Sequence, residues 1–195
     1  GLFGNKEAGE KIQDDTYAAT PIYSLYGKNK KPSKDQLSGV DVIIFDMQDI
    51  GSRYYTYVST MGYIMEAAAD NQIQLIVLDR VNPLGRDIQG PLLKPEFSSF
   101  VGMYPIPIRH GLTIGEIAQM ISGMGWLRSS KELRIEVVEI LNWDGDYVAI
   151  QQPPSPNIPE LESAILYNGL CLLEGTNISE GRGTDLPFKV RSKEL

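Results

Sequence analysis

The chain has 195 residues, 42% of them hydrophobic and 22% charged, and a formal net charge of −7. That length and composition fit one medium globular domain, or one domain with part of another, and the acidic balance argues against general nucleic-acid binding, which needs a basic patch. Cys171 is the sole cysteine and His110 the sole histidine, which excludes an intrachain disulfide and a histidine-rich zinc site, and no run of 18 apolar residues is present to span a membrane.

Residues 1 to 20 are polar and glycine-containing and read as a surface loop. Neither end looks natural: Gly1 is not an initiator methionine and Leu195 stops abruptly, so both ends are expected to be trimmed. Ile22 to Tyr26 is β-branched and aromatic and predicts a short strand stopping at Gly27. A Lys-rich loop then leads to Asp41–Tyr57, around which the chain is organised. Val42-Ile43-Ile44-Phe45 predicts a strand buried on both faces. Its polar tip carries Asp46, Gln48, Asp49 and Arg53, where an open α/β sheet places its ligands. The bland alternative is helix capping and pairing with Arg53.

Apolar residues at Tyr54, Tyr57, Val58, Met61, Ile64, Met65 and Ala68 predict a helix with Ser52 as its cap. Leu75 to Leu78 predicts a second buried strand, ending in Asp79-Arg80 and Asn82-Pro83. Strand, helix and strand make a βαβ unit, so the two strands pair in parallel and set Asp46 and Asp79 on one edge of the sheet. Residues 81 to 98 form a long irregular loop. Val101 to Arg109 carries two prolines and reads as an extended edge segment ending at His110-Gly111. Thr113 to Glu116 is a capping box before a helical face, and Arg134 to Ile140 alternates as a half-exposed strand.

Residues 143 to 159 are proline-rich and read as a connector; Pro159 opens a short helix. Leu170 to Leu173 predicts a last buried strand, after which Glu174, Asn177, Glu180 and Arg182 alternate with glycines in a loop suited to cradle a ligand. The alternative is a turn braced by Glu–Arg pairs. No G-x-G-x-x-G follows a strand, no P-loop is present, and no acidic cluster has EF-hand spacing, so neither a nucleotide cofactor nor a metal is expected.

Five stretches together carry a resemblance: Phe45 to Tyr57, Leu78 to Gly85, Pro105 to Gly111, Pro154 to Pro159, and Cys171 to Thr184. In this order they resemble a bacterial family long catalogued as a domain of unknown function and associated with exo-β-N-acetylmuramidases. The resemblance covers nearly the whole chain. It implies an α/β fold: a Rossmann-like, mostly parallel sheet with flanking helices over residues 1–150, then a connector and the start of a smaller strand-rich domain over 151–195. It also implies a pocket in the cleft between the two. The implied activity is release of terminal N-acetylmuramic acid from the non-reducing end of peptidoglycan fragments, without cofactor, outside the cytoplasm in the periplasm or as a secreted protein. Val81 and Arg86 depart from the usual Pro and Gly. Members carry a Pro-Glu-His-Gly motif whose Gly matches Gly1, and they continue beyond Leu195; without that Glu and His the chain alone is expected to be a poor hydrolase.

Glycosidases need two carboxyl groups. The candidates are Asp46, Asp79 and Glu174, with Asp49 and Glu180 also in view, and the pairing among them stays open. Gln48, Asp49, Arg53, Tyr54, Tyr57, Arg80, Asn82, His110, Asn177, Glu180 and Arg182 are the expected sugar-binding residues: arginine forks suit the lactyl carboxylate and tyrosine rings can stack on a sugar. The competing reading is a non-catalytic module that binds cell-wall sugars or a protein.

Overall fold

The structure, a computed structural model, describes residues 15–18, 20–27, 29–150, 152–190 and 192–193. The expected surface loop over residues 1 to 20 lies mostly outside them. Its described end forms a hairpin instead, β1 (Asp15–Tyr17) antiparallel to β2 (Thr20–Ile22). The strand expected at Ile22 to Tyr26 is thus shifted toward the N-terminus, and only Ile22 belongs to it.

The βαβ unit forms as its pattern demands. β3 (Val42–Phe45) leads through α1 (Tyr57–Asn71) to β4 (Gln74–Leu78), and β3 and β4 pair in parallel with Phe45 opposite Val77. After α2 (Ile114–Gly123), β5 (Ile135–Val138) adds in parallel on the other side of β4, with Leu78 opposite Val138. α1 begins at Tyr57, four residues later than a Ser52 cap would start it. Ser52 is fully buried and bridges Arg109 instead of capping. The helix ends where Gln72 turns left-handed, φ 58°, and returns its N–H to the last carbonyls. α2 starts on the expected capping box, with both reciprocal hydrogen bonds between Thr113 and Glu116 formed.

One face of the sheet makes the main core. Phe45, Leu75 and Val77 meet Val58, Met61 and Met65 of α1 and Ile114, Ile117 and Ile121 of α2. Each such side chain contributes about 1.5–3 kcal/mol on burial. The opposite face is open among the described residues: Ile44 is 61% exposed, and Val42 and Val138 are exposed beside it. The expectation of a strand buried on both faces is therefore corrected, because both helices pack on the same side.

A second apolar cluster sits beyond the strand tips. Ile50 and Leu84 pack with Ile158, Ala164 and Tyr167 and with Phe188, and Tyr54, Tyr55 and Cys171 border them. This cluster ties the loop after β3 to α3 (Leu161–Leu170) and to the chain beyond it. Leu170 to Leu173, expected as a buried strand, closes α3 and continues into a 3₁₀ turn over Cys171–Gly175, with Leu172 exposed. A short apolar run suits either structure, and here the preceding helix simply runs on. β6 (Ile178–Ser179) and β7 (Ser192–Lys193) then pair antiparallel. No helix among the described residues is long and apolar enough to cross a membrane.

Candidate active site

The carboxyl ends of β3 and β4 lie side by side, so Asp46 and Asp79, each following its strand, share one edge of the sheet. Asp46 accepts a hydrogen bond from Arg80 Nε at 2.6 Å, and both side chains are close to half exposed. Asp79 is spent locally. Its Oδ1 accepts the Gly115 N–H at 2.7 Å and its Oδ2 the Thr113 hydroxyl at 2.8 Å, so the carboxylate holds the start of α2. Position 115 must be glycine for this: an added Cβ would lie 2.6 Å from Asp79 Cγ. Gln48 lashes the two strand tips together, donating to Asp49 O at 2.6 Å and Val81 O at 2.9 Å.

Between this edge and α2 lies a cavity of about 250 Å³, lined by Asp79, Arg86, Thr113, Glu116, Val137 and Trp143 among others. Arg86 pairs with Glu116 and lies 4.6 Å from the centre of the Trp143 ring. Burial works against the charge on Glu116, but Arg86 and the Thr113 N–H outweigh it and hold the carboxyl below the ordinary value of 4.5. Sequence reasoning missed Arg86, Glu116 and Trp143 as cavity residues. Glu116 carried only a capping signal, and Trp143 lay in a segment that reads as a connector.

Arg53, Asn82 and His110, expected to bind sugar, are buried and occupied. Arg53 Nη1 donates to Pro91 O at 2.9 Å and Ile106 O at 2.5 Å. Asn82 donates to Leu112 O at 3.0 Å and accepts from Leu84 N at 2.9 Å. Asp49 Oδ2 accepts the Gly51 N–H at 2.8 Å and faces His110 Nε2 at 3.3 Å, while His110 Nδ1 accepts from Leu112 N at 3.3 Å. A ring nitrogen that accepts carries no proton, so the tautomer is fixed with its N–H on the Asp49 side. Arg109, within a quoted motif but missed as a brace, hydrogen-bonds Leu84 O and the Tyr147 hydroxyl and lies 3.3 Å from Asp87. These residues lock three loops into a platform behind the edge. Asp49 Oδ1, Ser52 Oγ, Arg53 Nε, Arg109 Nε and His110 Nε2 are enclosed in it without a hydrogen-bond partner, His110 Nε2 facing Asp49 without a hydrogen bond to it.

The tyrosines join this platform to the C-terminal segment. The Tyr57 hydroxyl reaches Pro154 O at 3.5 Å, and its ring meets Tyr55 edge-on at 4.7 Å. Tyr54 is half-buried against Arg53 and Cys171; burial raises the pKa of Tyr54, Tyr55 and Tyr57 alike. Burial also raises that of Tyr167, with Cys171, Glu174 and Asp49 adding to it. The Tyr167 ring meets Tyr55 edge-on at 6.2 Å and Phe188 at 4.9 Å, so it joins the tyrosines to the segment that carries Arg182. There Arg182 pairs with Glu174 and, at 3.3 Å, with Glu180, and its guanidinium lies 5.3 Å from the Phe188 ring. Burial disfavours the Arg182 charge, yet the two glutamates more than offset it and raise its pKa. Glu180 is buried, Asn177 is exposed in a turn, and Glu174 lies on the 3₁₀ turn instead of ending a strand. The structure thus brings Asp46, Arg80 and Asp79 to one edge but holds Glu174 on a separate element. Among the described residues no group of three or more His, Cys, Asp or Glu side chains is arranged to hold a metal ion.

This arrangement offers a solvent-accessible carboxylate, a polar cavity with one aromatic face, and a rigid support, a combination suited to a sugar. Residues 1–162 match the family model for the N-terminal part of exo-β-N-acetylmuramidase NamZ, and residues 165–194 match the model for its C-terminal part. The chain is 46% identical over 198 residues to the peptidoglycan β-N-acetylmuramidase NamZ of Bacillus subtilis (strain 168), covering 97% of this chain and 47% of that protein. Two crystal structures of DUF1343 family proteins from Bacteroides fragilis NCTC 9343 superpose with TM-scores of 0.84 and 0.81, each at 41% identity. They cover 92% and 91% of this chain and 50% and 48% of theirs, so the chain spans about half the length of the relatives it matches. On these matches, the chain belongs to the exo-β-N-acetylmuramidase NamZ family.

Proposed function

We propose that the protein acts as a glycoside hydrolase that releases terminal N-acetylmuramic acid from the non-reducing end of peptidoglycan fragments, in cell-wall turnover and recycling. The carboxyl edge carries this reading. Two parallel strands end in acidic residues beside a polar, Trp-faced cavity, in a chain 46% identical to a peptidoglycan β-N-acetylmuramidase. Asp46 is the carboxylate best suited to touch the sugar, because it is close to half exposed while Asp79 is spent on α2. Arg80, its ion-pair partner, supplies donors for a hydroxyl or carboxylate. Arg53, Asn82 and His110 act from behind, as positioning residues.

Hydrolysis at an anomeric carbon needs a carboxylic acid to protonate the leaving oxygen and a second carboxylate across the ring. In this reading Asp46 is one of the two, and the glutamate of the family's Pro-Glu-His-Gly motif, carried by the longer protein, is the other. Residues 1–195 alone are then a poor catalyst. Residues 1–150 make the Rossmann-like domain and residues 151–195 the connector and the beginning of the second domain, and the cavity beside Asp46 is lined by residues of the first. Because peptidoglycan lies outside the cytoplasmic membrane, the proposed location is periplasmic or secreted. The test is Asp46→Asn in the full-length enzyme, assayed on a chromogenic N-acetylmuramide. Turnover falls by about 10²–10⁴-fold if Asp46 serves as acid or base; wild-type turnover in this variant overturns the assignment.

A further inference from the structure

A second cavity, of about 300 Å³, lies away from the carboxyl edge. Glu66 forms part of its lining from α1, nine residues and about 14 Å along the helix from Tyr57. Trp126 lines it just past the C-terminal end of α2, the helix whose other end Asp79 holds. The cavity therefore sits at the far ends of both helices from Asp46 and Asp79.

Its walls are built for a ring. The Tyr104 and Trp126 rings stack at 5.7 Å with planes 16° apart. Tyr104 is 4% exposed and pinned, its hydroxyl enclosed against Gly62, where an added Cβ would lie 2.1 Å away. Leu93 and Met103 add apolar surface. The polar groups are few and placed. The Glu66 side chain is only 7% exposed; its Oε1 accepts the Arg128 N–H at 3.2 Å, and its Oε2 faces Lys31 Nζ at 3.4 Å. A carboxylate has acceptor sites for about four donors, so Glu66 has capacity left for hydroxyls of a ligand. The Arg128 side chain also lines the cavity and is exposed, with no ion pair among the described residues. Lys31 pairs more closely with Asp70, at 2.7 Å, so the charges that line the cavity, Glu66 and Arg128, balance, and Arg128 is the cation left to meet a ligand anion.

The geometry points to a second saccharide site here, selective for a sugar ring that bears a carboxylate: the ring lies against Trp126, its hydroxyls donate to Glu66, and its carboxylate meets the Arg128 fork. The volume is at the small end for ligand pockets and fits one ring. A free guanidinium binds a carboxylate bidentately, which an uncharged N-acetyl sugar cannot exploit. N-acetylmuramic acid has this chemistry, and the choice of that sugar as probe rests on the hydrolase reading above. Bound there, the released product would occupy a site separate from the one that made it.

The experiment is calorimetric titration of the full-length protein with N-acetylmuramic acid and, separately, with N-acetylglucosamine, for the wild type, Arg128→Ala and the cavity-filling Leu93→Trp. The expected result is a binding event for N-acetylmuramic acid that weakens at least tenfold in both variants and is absent with N-acetylglucosamine, while kcat/KM on a chromogenic N-acetylmuramide stays at the wild-type value. If the protein is no muramidase, this event persists with no product-binding event at the carboxyl edge and no turnover, so the two claims fail separately. Identical isotherms in wild type and Arg128→Ala, or equal binding of both sugars, overturn the proposal. So does a fall in kcat/KM in folded Arg128→Ala that matches the loss of binding, since the cavity would then belong to the hydrolytic site.

Discussion

The Asp79 carboxylate accepts the Thr113 hydroxyl at 2.8 Å and, with its other oxygen, the Gly115 N–H at 2.7 Å, joining the tip of β4 to the first turn of α2. An acidic residue at a strand tip reads equally as a catalyst or a brace, and this geometry makes Asp79 a brace. Asp79→Ala is expected to lower stability by about 1–3 kcal/mol, the range for a lost cap and its unsatisfied donors. Urea denaturation of the full-length protein checks this. Undiminished stability together with abolished turnover would return Asp79 to the catalytic pair.

Gly51 is held against Asn82. Its φ is 80°, and an added Cβ would lie 2.2 Å from Asn82 Oδ1. Gly51→Ala is therefore expected to cost about 1–3 kcal/mol through backbone strain and overpacking, and to lower activity by displacing the platform behind Asp46. A thermal melt within a degree of wild type would show that the Asn82 contact is unimportant.

How much of this was legible in the residues depended on the kind of pattern. The β3–α1–β4 unit follows from two short apolar runs and a helical period between them, and the capping box at Thr113 was readable because two side chains at fixed spacing make both of its bonds. Leu170 to Leu173 was not, since four apolar residues have no period, and they extend α3 instead of making a strand. The open face at Val42 and Ile44 depends on where helices pack, which a strand's own sequence does not encode. Arg53, Asn82 and His110 are legible as polar motif residues, but their burial is not, nor the backbone carbonyls that Arg53 and Asn82 meet, because polar type is visible in a sequence and packing is not.

Glu116 couples stability to pH. Its folded pKa lies below the ordinary 4.5, so the group binds its proton less readily when folded, and its contribution is present above 4.5 and lost as pH falls through the lowered value. Glu116→Gln should therefore be less stable than wild type at pH 7, with the gap closing in acid below about pH 4.5. Denaturant midpoints for both proteins across pH 3 to 7 test this; a gap that does not change with pH would assign the whole effect to the uncharged cap.

Arg182 pairs with Glu174 and with buried Glu180, and it leans on Phe188. Its removal leaves Glu180 without that ion pair inside the fold, so Arg182→Ala should lose several degrees of melting temperature and lower turnover of N-acetylmuramides only in step with the loss of folded protein. The sugar-cradle account requires the opposite split: an unchanged melt and a selective loss on N-acetylmuramides of about 1.5–3 kcal/mol, the worth of a charge-assisted hydrogen bond.

The central claim, that the carboxyl edge bearing Asp46 belongs to an exo-acting muramidase, is tested most directly by digesting defined peptidoglycan fragments with the full-length protein and identifying the products by mass spectrometry. The account predicts free N-acetylmuramic acid, released one residue at a time from the non-reducing end, and none from fragments whose non-reducing end is N-acetylglucosamine. Internal cleavage, release of N-acetylglucosamine, or intact fragments after prolonged digestion would contradict it.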